Sequence, residues 1–127
     1  DGQTYNCLNL AQASLVCSGT ATLEATIIGK PFVIVYKTNL LNYLLYRPQI
    51  KIPYIGMVNI VAGKMIIPEF IQFNAQPKIM AKSIIELLKN HHLASQMIQN
   101  LKAAKDSLGQ PGAAVRAAKL ILNFLQK

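Results

Sequence analysis

The run PFVIVY at residues 31–36 limits the possible folds more than any other stretch of this chain. Its residues are aromatic or β-branched, and they are continuously apolar, whereas a strand with one face in water alternates apolar and polar residues. Such a run is typical of a parallel strand that is covered on both faces. Parallel strands need crossover connections, so helices are expected around it.

The flanking segments complete an α/β pattern. Residues 5–13 have a helical pattern, and SLVCS at residues 14–18 predicts a short strand. TATLEATIIG then predicts a helix that stops at Gly29. A further helix is predicted over residues 39–47, ending before Pro48. Right-handed crossovers should place helices on both faces of the sheet.

The second half of the chain predicts mainly helices. IPYIGMVNIVAGK resembles a strand and a loop, whereas amphipathic helices are expected from Pro77 onward. In PKIMAKSIIELLKN one face is formed by Ile79, Ile84, Leu87 and Leu88. AAVRAAKLILNFLQK repeats the pattern after a Gly-rich break. A length of 127 residues predicts one domain, 1–127, with residues 77–127 as a helical C-terminal segment.

The charge balance favours anionic partners. Thirteen basic and five acidic residues give a formal net charge of +8, which suits nucleotide phosphates, acidic lipid headgroups or nucleic acid. A basic surface that only aids solubility is the alternative. Nucleic acid is not expected, because the lysines are scattered and no aromatic residues interleave with a basic run.

The sequence predicts no membrane span and no secretion signal. Hydrophobic residues make up 52% of the chain, but no apolar stretch approaches the ~18 residues that a transmembrane helix needs. The start DGQT lacks an initiator methionine and the features of a signal peptide, so we expect a piece of a longer protein. Cys7 and Cys17 are predicted to be free, buried thiols of a reducing compartment rather than a disulfide.

The stretch SLVCSGTATLEA predicts an anion site. A strand that ends at Ser18-Gly19-Thr20 and turns into a helix presents free backbone N–H groups and a positive dipole end. Gly19 allows close approach, while the two hydroxyls can donate to phosphate oxygens. Glu24 should accept from a neutral group, such as a ribose diol beside a diphosphate. The alternative is an ordinary capped helix in which Glu24 is stabilised by the helix dipole.

Two other groups of residues have less specific patterns. His91 and His92 are adjacent, and no third ligand has a usual spacing, so a surface pair is expected rather than a metal site. Tyr43, Tyr46, Leu44 and Leu45 could insert into a membrane surface beside basic residues. Packing in the core is the alternative that we favour for these four residues.

Five motifs together resemble the C-terminal part of bacterial lipid-A-disaccharide synthases: SGTATLEA, GKPFVIVYK, IPYIGMVNIVAGK, PEFIQ and LGQPGAAVRAA. Their order and spacing cover nearly the whole chain. The resemblance implies the Rossmann-like C-terminal half of a GT-B glycosyltransferase. It also implies transfer of a diacylglucosaminyl group from its UDP conjugate to diacylglucosamine 1-phosphate, in lipid A biosynthesis, with release of UDP and without metal or cofactor.

The resemblance also implies site residues. It assigns UDP binding to Ser18, Gly19, Thr20, Glu24, Asn59, Glu69 and Gln72. Glu69 and Gln72 match a helix start that borders the donor site, and Asn59 matches an asparagine in a loop that faces it. Lys37 replaces an arginine common in the family and keeps the charge but not the bidentate fork. It is therefore only a further candidate contact.

The implied partners are the UDP-activated donor, the acceptor sugar phosphate, a membrane surface and, as an open alternative, a second copy of the chain. The implied location is the cytoplasmic side of the inner membrane of a Gram-negative-type bacterium. The catalytic base is expected in an N-terminal acceptor domain outside these residues, so the chain alone should be inactive. A non-catalytic basic module that binds acidic lipid or a partner chain is the competing hypothesis, and it has no need of the Ser18–Thr20 turn with Glu24 and Asn59.

Overall fold

The computed structural model describes residues 2–49 and 51–125, and its centre is a parallel three-stranded sheet. The strands are β1 (Ser14–Cys17), β2 (Phe32–Tyr36) and β3 (Glu69–Ile71), in the order β1-β2-β3. In the central strand β2, Phe32 and Val33 are 0% exposed and Ile34 is 1% exposed. The prediction of a parallel strand covered on both faces is confirmed.

Seven α-helices accompany the sheet within the described ranges. They are α1 (Thr4–Leu10), α2 (Thr20–Ile28), α3 (Leu40–Tyr46), α4 (Met57–Ala62), α5 (Pro77–Lys89), α6 (His91–Ser107) and α7 (Ala113–Leu125). Single 3-10 turns cover Arg47–Gln49 and Gln72–Asn74. The α/β class is therefore as predicted, and α2 stops at Gly29, whose φ of 78° is left-handed. Helix α7 matches the predicted last helix up to residue 125; Gln126 and Lys127 lie outside the described residues.

Two local predictions are wrong. IPYIGMVNIVAGK contains helix α4 rather than a strand, because a helix places the side chains of both Val58 and Asn59 in the core. The helix ends at Gly63, whose φ is 65°. Glu69 does not begin a helix but a strand. This segment pairs with β2 instead: Ile34 lies opposite Glu69, and the Ile34 N–H donates to the Pro68 carbonyl at 2.9 Å.

The core lies between the sheet and helices α2, α4, α5 and α6. Leu101 of α6 and Val58 of α4 are 0% exposed and belong to one apolar cluster with β2. Thr26 of α2 is also buried, and its hydroxyl is satisfied by donating to the Thr22 carbonyl at 2.6 Å. The polar groups of α2 that enter the core are thus satisfied within the helix.

Several side chains are more exposed than the sequence indicated. Cys7 and Cys17 are free, as predicted, but both are exposed rather than buried, because α1 and the end of β1 lie at the surface. On α5 the predicted face is only partly covered: Leu87 is 4% exposed, whereas Ile79 and Leu88 are each 43% exposed.

Gly56, just before α4, lies directly against the sheet. A Cβ at this position would be 2.3 Å from Ile34 Cδ1 and 3.1 Å from Glu69 Oε1. Its φ of −72° is open to any residue, so space rather than backbone conformation requires glycine here.

Gly56→Ala should therefore lower the free energy of unfolding by about 1–3 kcal/mol through overpacking. Ile34→Val removes Cδ1, so the same alanine should cost clearly less in that background. Urea unfolding of the wild-type protein, the two single variants and the double variant measures the coupling. Strictly additive costs would show that the contact with Ile34 is not the cause.

Candidate functional site

The carboxyl ends of the three strands lie along one edge of the sheet, where parallel α/β sheets bind ligands. Residues 18–20 follow β1, residues 37–38 follow β2, and Gln72 follows β3. Three of the segments that the sequence marked as candidates therefore lie along this edge.

The turn at residues 18–20 carries the start of α2. The Ser18 N–H donates to the Val35 carbonyl at 2.9 Å, which extends the β1–β2 pairing by one residue. Gly19 has φ 147° and provides no side-chain cap, and its carbonyl accepts from the N–H and the hydroxyl of Thr22 at 3.1 and 2.7 Å. The N–H groups of Thr20 and Ala21, which precede Thr22, have no acceptor within the helix, so they are available to an anion.

The side chains of this turn and helix differ in whether they form hydrogen bonds within the protein. Thr20 is exposed and Glu24 is half-buried, and neither side chain has a hydrogen bond or ion pair with another described residue. The Ser18 hydroxyl, in contrast, donates to the Ile55 carbonyl at 3.1 Å. The carboxylate of Glu24 is therefore free to accept from a ligand, while the proton of Ser18 is directed at the protein.

Asn59 is the most completely engaged of the candidate residues. Its side chain is 0% exposed. Nδ2 donates to the Ile67 carbonyl at 2.7 Å and to Glu69 Oε1 at 2.8 Å, while Oδ1 accepts from the N–H groups of Ile66 and Ile67 at 2.9 and 3.0 Å. The amide thus joins α4 to the chain that enters β3.

Glu69 directs its carboxylate at a neighbouring turn. Oε2 accepts from the Ile55 N–H and Oε1 from the Gly56 N–H, each at 2.9 Å, beside the bond from Asn59. Three donors therefore stabilise the negative charge.

Gln72 connects the ends of β2 and β3. Its Oε1 accepts from the Thr38 N–H at 2.7 Å, and its Nε2 donates to the Thr38 carbonyl at 3.0 Å. This reciprocal pair offsets the cost of the left-handed φ of 48° at Gln72.

A surface cavity of about 450 Å³ lies at the same ends of the strands. Lys37, Thr38, Leu40 and Gln72 are among the residues that line it. Lys37 is exposed, so its ammonium group adds positive charge beside the strand ends.

The other predicted groups are the histidine pair and the apolar residues of α3. His91 and His92 are exposed, and the described residues contain no cluster of three potential metal ligands. Leu44 and Leu45 are 60% and 59% exposed, so the favoured prediction of core packing is wrong for them, while the half-buried Tyr43 packs edge-on against Phe73. The side chain of Tyr46 lies outside the described part of the structure.

Sequence reasoning missed the groups that hold the candidate residues in place. The main ones are the backbone of Ile55, Gly56 and Thr38. Because every residue type except proline has the same backbone N–H and C=O groups, the sequence does not indicate which of them will bind a side chain. The only available indication was Asn59 itself, a lone polar residue in the apolar run MVNIVA, since a buried amide needs several partners.

Comparisons with known proteins cover nearly the whole chain. A family model described as lipid-A-disaccharide synthetase matches residues 1–122. A lipid-A-disaccharide synthase of Syntrophus aciditrophicus is 42% identical over 126 residues, which are 99% of this chain and 33% of that protein. One from a Sulfurihydrogenibium species is 40% identical over 127 residues, 100% of this chain and 33% of that protein. One from Myxococcus xanthus is 31% identical over 125 residues, which are 98% of this chain and 33% of that protein. The chain thus spans about a third of the length of these relatives.

The hydrogen bonds of Asn59 lead to a stability prediction. Asn59→Asp preserves the shape but replaces both Nδ2 donors, so two acceptors lose their partner, and one of them is a carboxylate. We expect a loss of at least about 2 kcal/mol in the free energy of unfolding, since each abandoned buried partner costs about 1–3 kcal/mol. Urea unfolding measures it. The matched control is Asn123→Asp on exposed α7, expected to change stability by less than about 0.5 kcal/mol; equal costs for the two variants would contradict the assignment.

Proposed function

The chain belongs to the lipid-A-disaccharide synthetase family, and we propose that it forms the part of such an enzyme that binds the UDP of the sugar donor. The whole enzyme would transfer the 2,3-diacylglucosaminyl group from UDP to 2,3-diacylglucosamine 1-phosphate. The family match carries this proposal, and it disfavours the alternative of a non-catalytic basic module.

The turn at Ser18–Thr20 is proposed to bind the diphosphate. Its support is the set of N–H groups at the start of α2, together with the exposed hydroxyl of Thr20. The backbone of Gly19 has no Cβ between it and a ligand. Donors fixed in this way would also stabilise the charge that develops on the departing UDP, which is how such groups promote transfer.

Glu24 is proposed to bind the ribose. An ionised carboxylate beside a phosphate would be repelled, but it can accept hydrogen bonds from two hydroxyls at once. The half-buried position and the lack of a partner among the described residues support this role.

Asn59, Glu69 and Gln72 are proposed to form the border of the same site. Their polar side-chain atoms are engaged by the protein, so in this proposal they shape the site through the backbone that they hold. Lys37 is proposed to attract the phosphates across the cavity at the strand ends.

Glu24→Gln in the full-length protein should weaken UDP binding by tenfold or more, since a hydrogen bond to a charged group contributes about 1.5–3 kcal/mol. Calorimetric titration with UDP and with 2′-deoxyuridine diphosphate tests the cause. In the wild type the missing hydroxyl should reduce affinity, and in Glu24→Gln this penalty should shrink.

Glu86→Gln is the matched control, because Glu86 is an exposed residue of α5. It should preserve both affinities. If the wild type and Glu24→Gln show equal penalties for the deoxynucleotide, Glu24 does not bind the ribose.

We further propose that helix α3 contacts the cytoplasmic surface of the inner membrane, from which acylated substrates would come. Leu41, Leu44 and Leu45 are 73%, 60% and 59% exposed, and Lys37 and Lys51 lie near the ends of this segment. Exposed leucines beside lysines suit an anionic lipid surface. Among the described residues no helix is both long and apolar enough to cross a bilayer. The homodimer stays a prediction, to be tested by sedimentation of the full-length protein.

The double variant Leu41→Ser/Leu44→Ser should reduce co-flotation of the full-length protein with phosphatidylglycerol vesicles several-fold, because burying one leucine contributes about 1.5–3 kcal/mol. Added salt should weaken binding of the wild type. Leu10→Ser is the control, since Leu10 is 84% exposed on α1. Equal losses in the double variant and the control would count against α3 as the contact surface.

A further inference from the structure

We propose that Glu69 and Ser18 are positioning residues that hold the turn at Ile55–Gly56 from two sides, and that nucleotide affinity depends on this turn being held. The inference rests on the proposed function, because it concerns the same UDP site. It differs from a direct role, in which the Glu69 carboxylate and the Ser18 hydroxyl would themselves bind the ligand.

The first side is the Glu69 carboxylate. Its two oxygens accept from the consecutive N–H groups of Ile55 and Gly56, each at 2.9 Å. Oε1 accepts in addition from buried Asn59 at 2.8 Å. A carboxylate with three donors from the protein is oriented toward the turn and away from a hydroxyl of a ligand.

The second side is the Ser18 hydroxyl. It donates to the Ile55 carbonyl at 3.1 Å, across 37 positions of sequence. Both backbone polar groups of Ile55 are therefore bound by side chains, one from β3 and one from the turn before α2. Since the chain from residue 51 to residue 56 has no regular secondary structure, these side chains set its position.

The spacing at Gly56 leaves the turn little freedom. A Cβ there would lie 3.1 Å from Glu69 Oε1, so the Gly56 backbone lies directly beside the carboxylate. Ser18 is also the residue next to Gly19, at the proposed phosphate turn. A displacement of Ile55 would therefore remove the partner that orients Ser18 beside the ligand.

This arrangement predicts non-additive effects on affinity. Ser18→Ala removes one side of the support, and Glu69→Gln removes the other by replacing an acceptor oxygen with a donor that faces an N–H group. Once one side is lost, losing the other should matter little. If Ser18 instead bound a phosphate directly, Ser18→Ala would cause the same fold loss in both backgrounds.

Calorimetric titration of UDP should compare the full-length wild type, Ser18→Ala, Glu69→Gln and the double variant. Each single change is expected to weaken UDP binding at least threefold, with the double variant within twofold of the weaker single variant. Multiplying losses, or no loss in Glu69→Gln, would overturn the proposal.

A stability control separates positioning from general destabilisation. Leu101→Ala removes a side chain that is 0% exposed in the apolar core, on α6. It should lower the unfolding midpoint at least as much as Glu69→Gln and leave UDP affinity within twofold of wild type. Weakening of UDP binding by Leu101→Ala to the same extent as by Glu69→Gln would reduce the role of Glu69 to stability and reject the proposal.

Hydrogen exchange without ligand tests the support itself. The amides of Ile55 and Gly56 should exchange faster in Glu69→Gln, and the turn should be less protected in Ser18→Ala, while exchange in α6 stays unchanged. Unchanged exchange at the turn overturns the inference even if UDP binds. A wild type that binds no UDP would reject the proposed function, and with it the claim about affinity, whereas additive losses in a protein that does bind UDP would reject this inference alone.

Discussion

The buried side chain of Asn59 is the interaction on which the local structure around the candidate site depends. In the segment between α4 and β3, the backbone groups of Ile66 and Ile67 are buried. The Asn59 amide binds three of them: both N–H groups and the Ile67 carbonyl. The same amide donates to Glu69, whose carboxylate fixes the turn before α4. A continuous chain of hydrogen bonds therefore runs from the core to the edge of the sheet, and its members support one another.

Two of the five carboxylates of the chain illustrate how surroundings decide the use of a charge. Glu69 is surrounded by N–H donors from its own chain, so its charge is balanced internally. Glu24 lies on α2 without a partner among the described residues. Although both are half-buried glutamates, the first is suited to holding the protein together and the second to accepting from another molecule.

The central strand could be predicted because its signal is local. PFVIVY is apolar on both faces and consists mainly of β-branched and aromatic residues, which is typical of a covered parallel strand. MVNIVA is also mainly apolar, yet it forms α4. A short apolar run does not separate helix from strand without the tertiary contacts, here those of Val58 and Asn59. The candidate site residues were assigned from short motifs and from the family resemblance, and their roles stay predictions. Their partners could not be predicted, since Ile55, Gly56 and Thr38 contribute backbone groups that any residue has.

The side-chain amide of Gln72 takes the place of a peptide unit beside Thr38. Its oxygen accepts from the Thr38 N–H and its nitrogen donates to the Thr38 carbonyl, although the main chain has already turned away. The pairing of β2 with β3 extends in this way past the last backbone pair, Tyr36 with Ile71. Rotation of the Gln72 side chain would break only these two hydrogen bonds. Separating the strands themselves requires several backbone hydrogen bonds to break together. The wall of the cavity beside Lys37 is therefore held at this point by a side chain and not by the backbone ladder of the sheet.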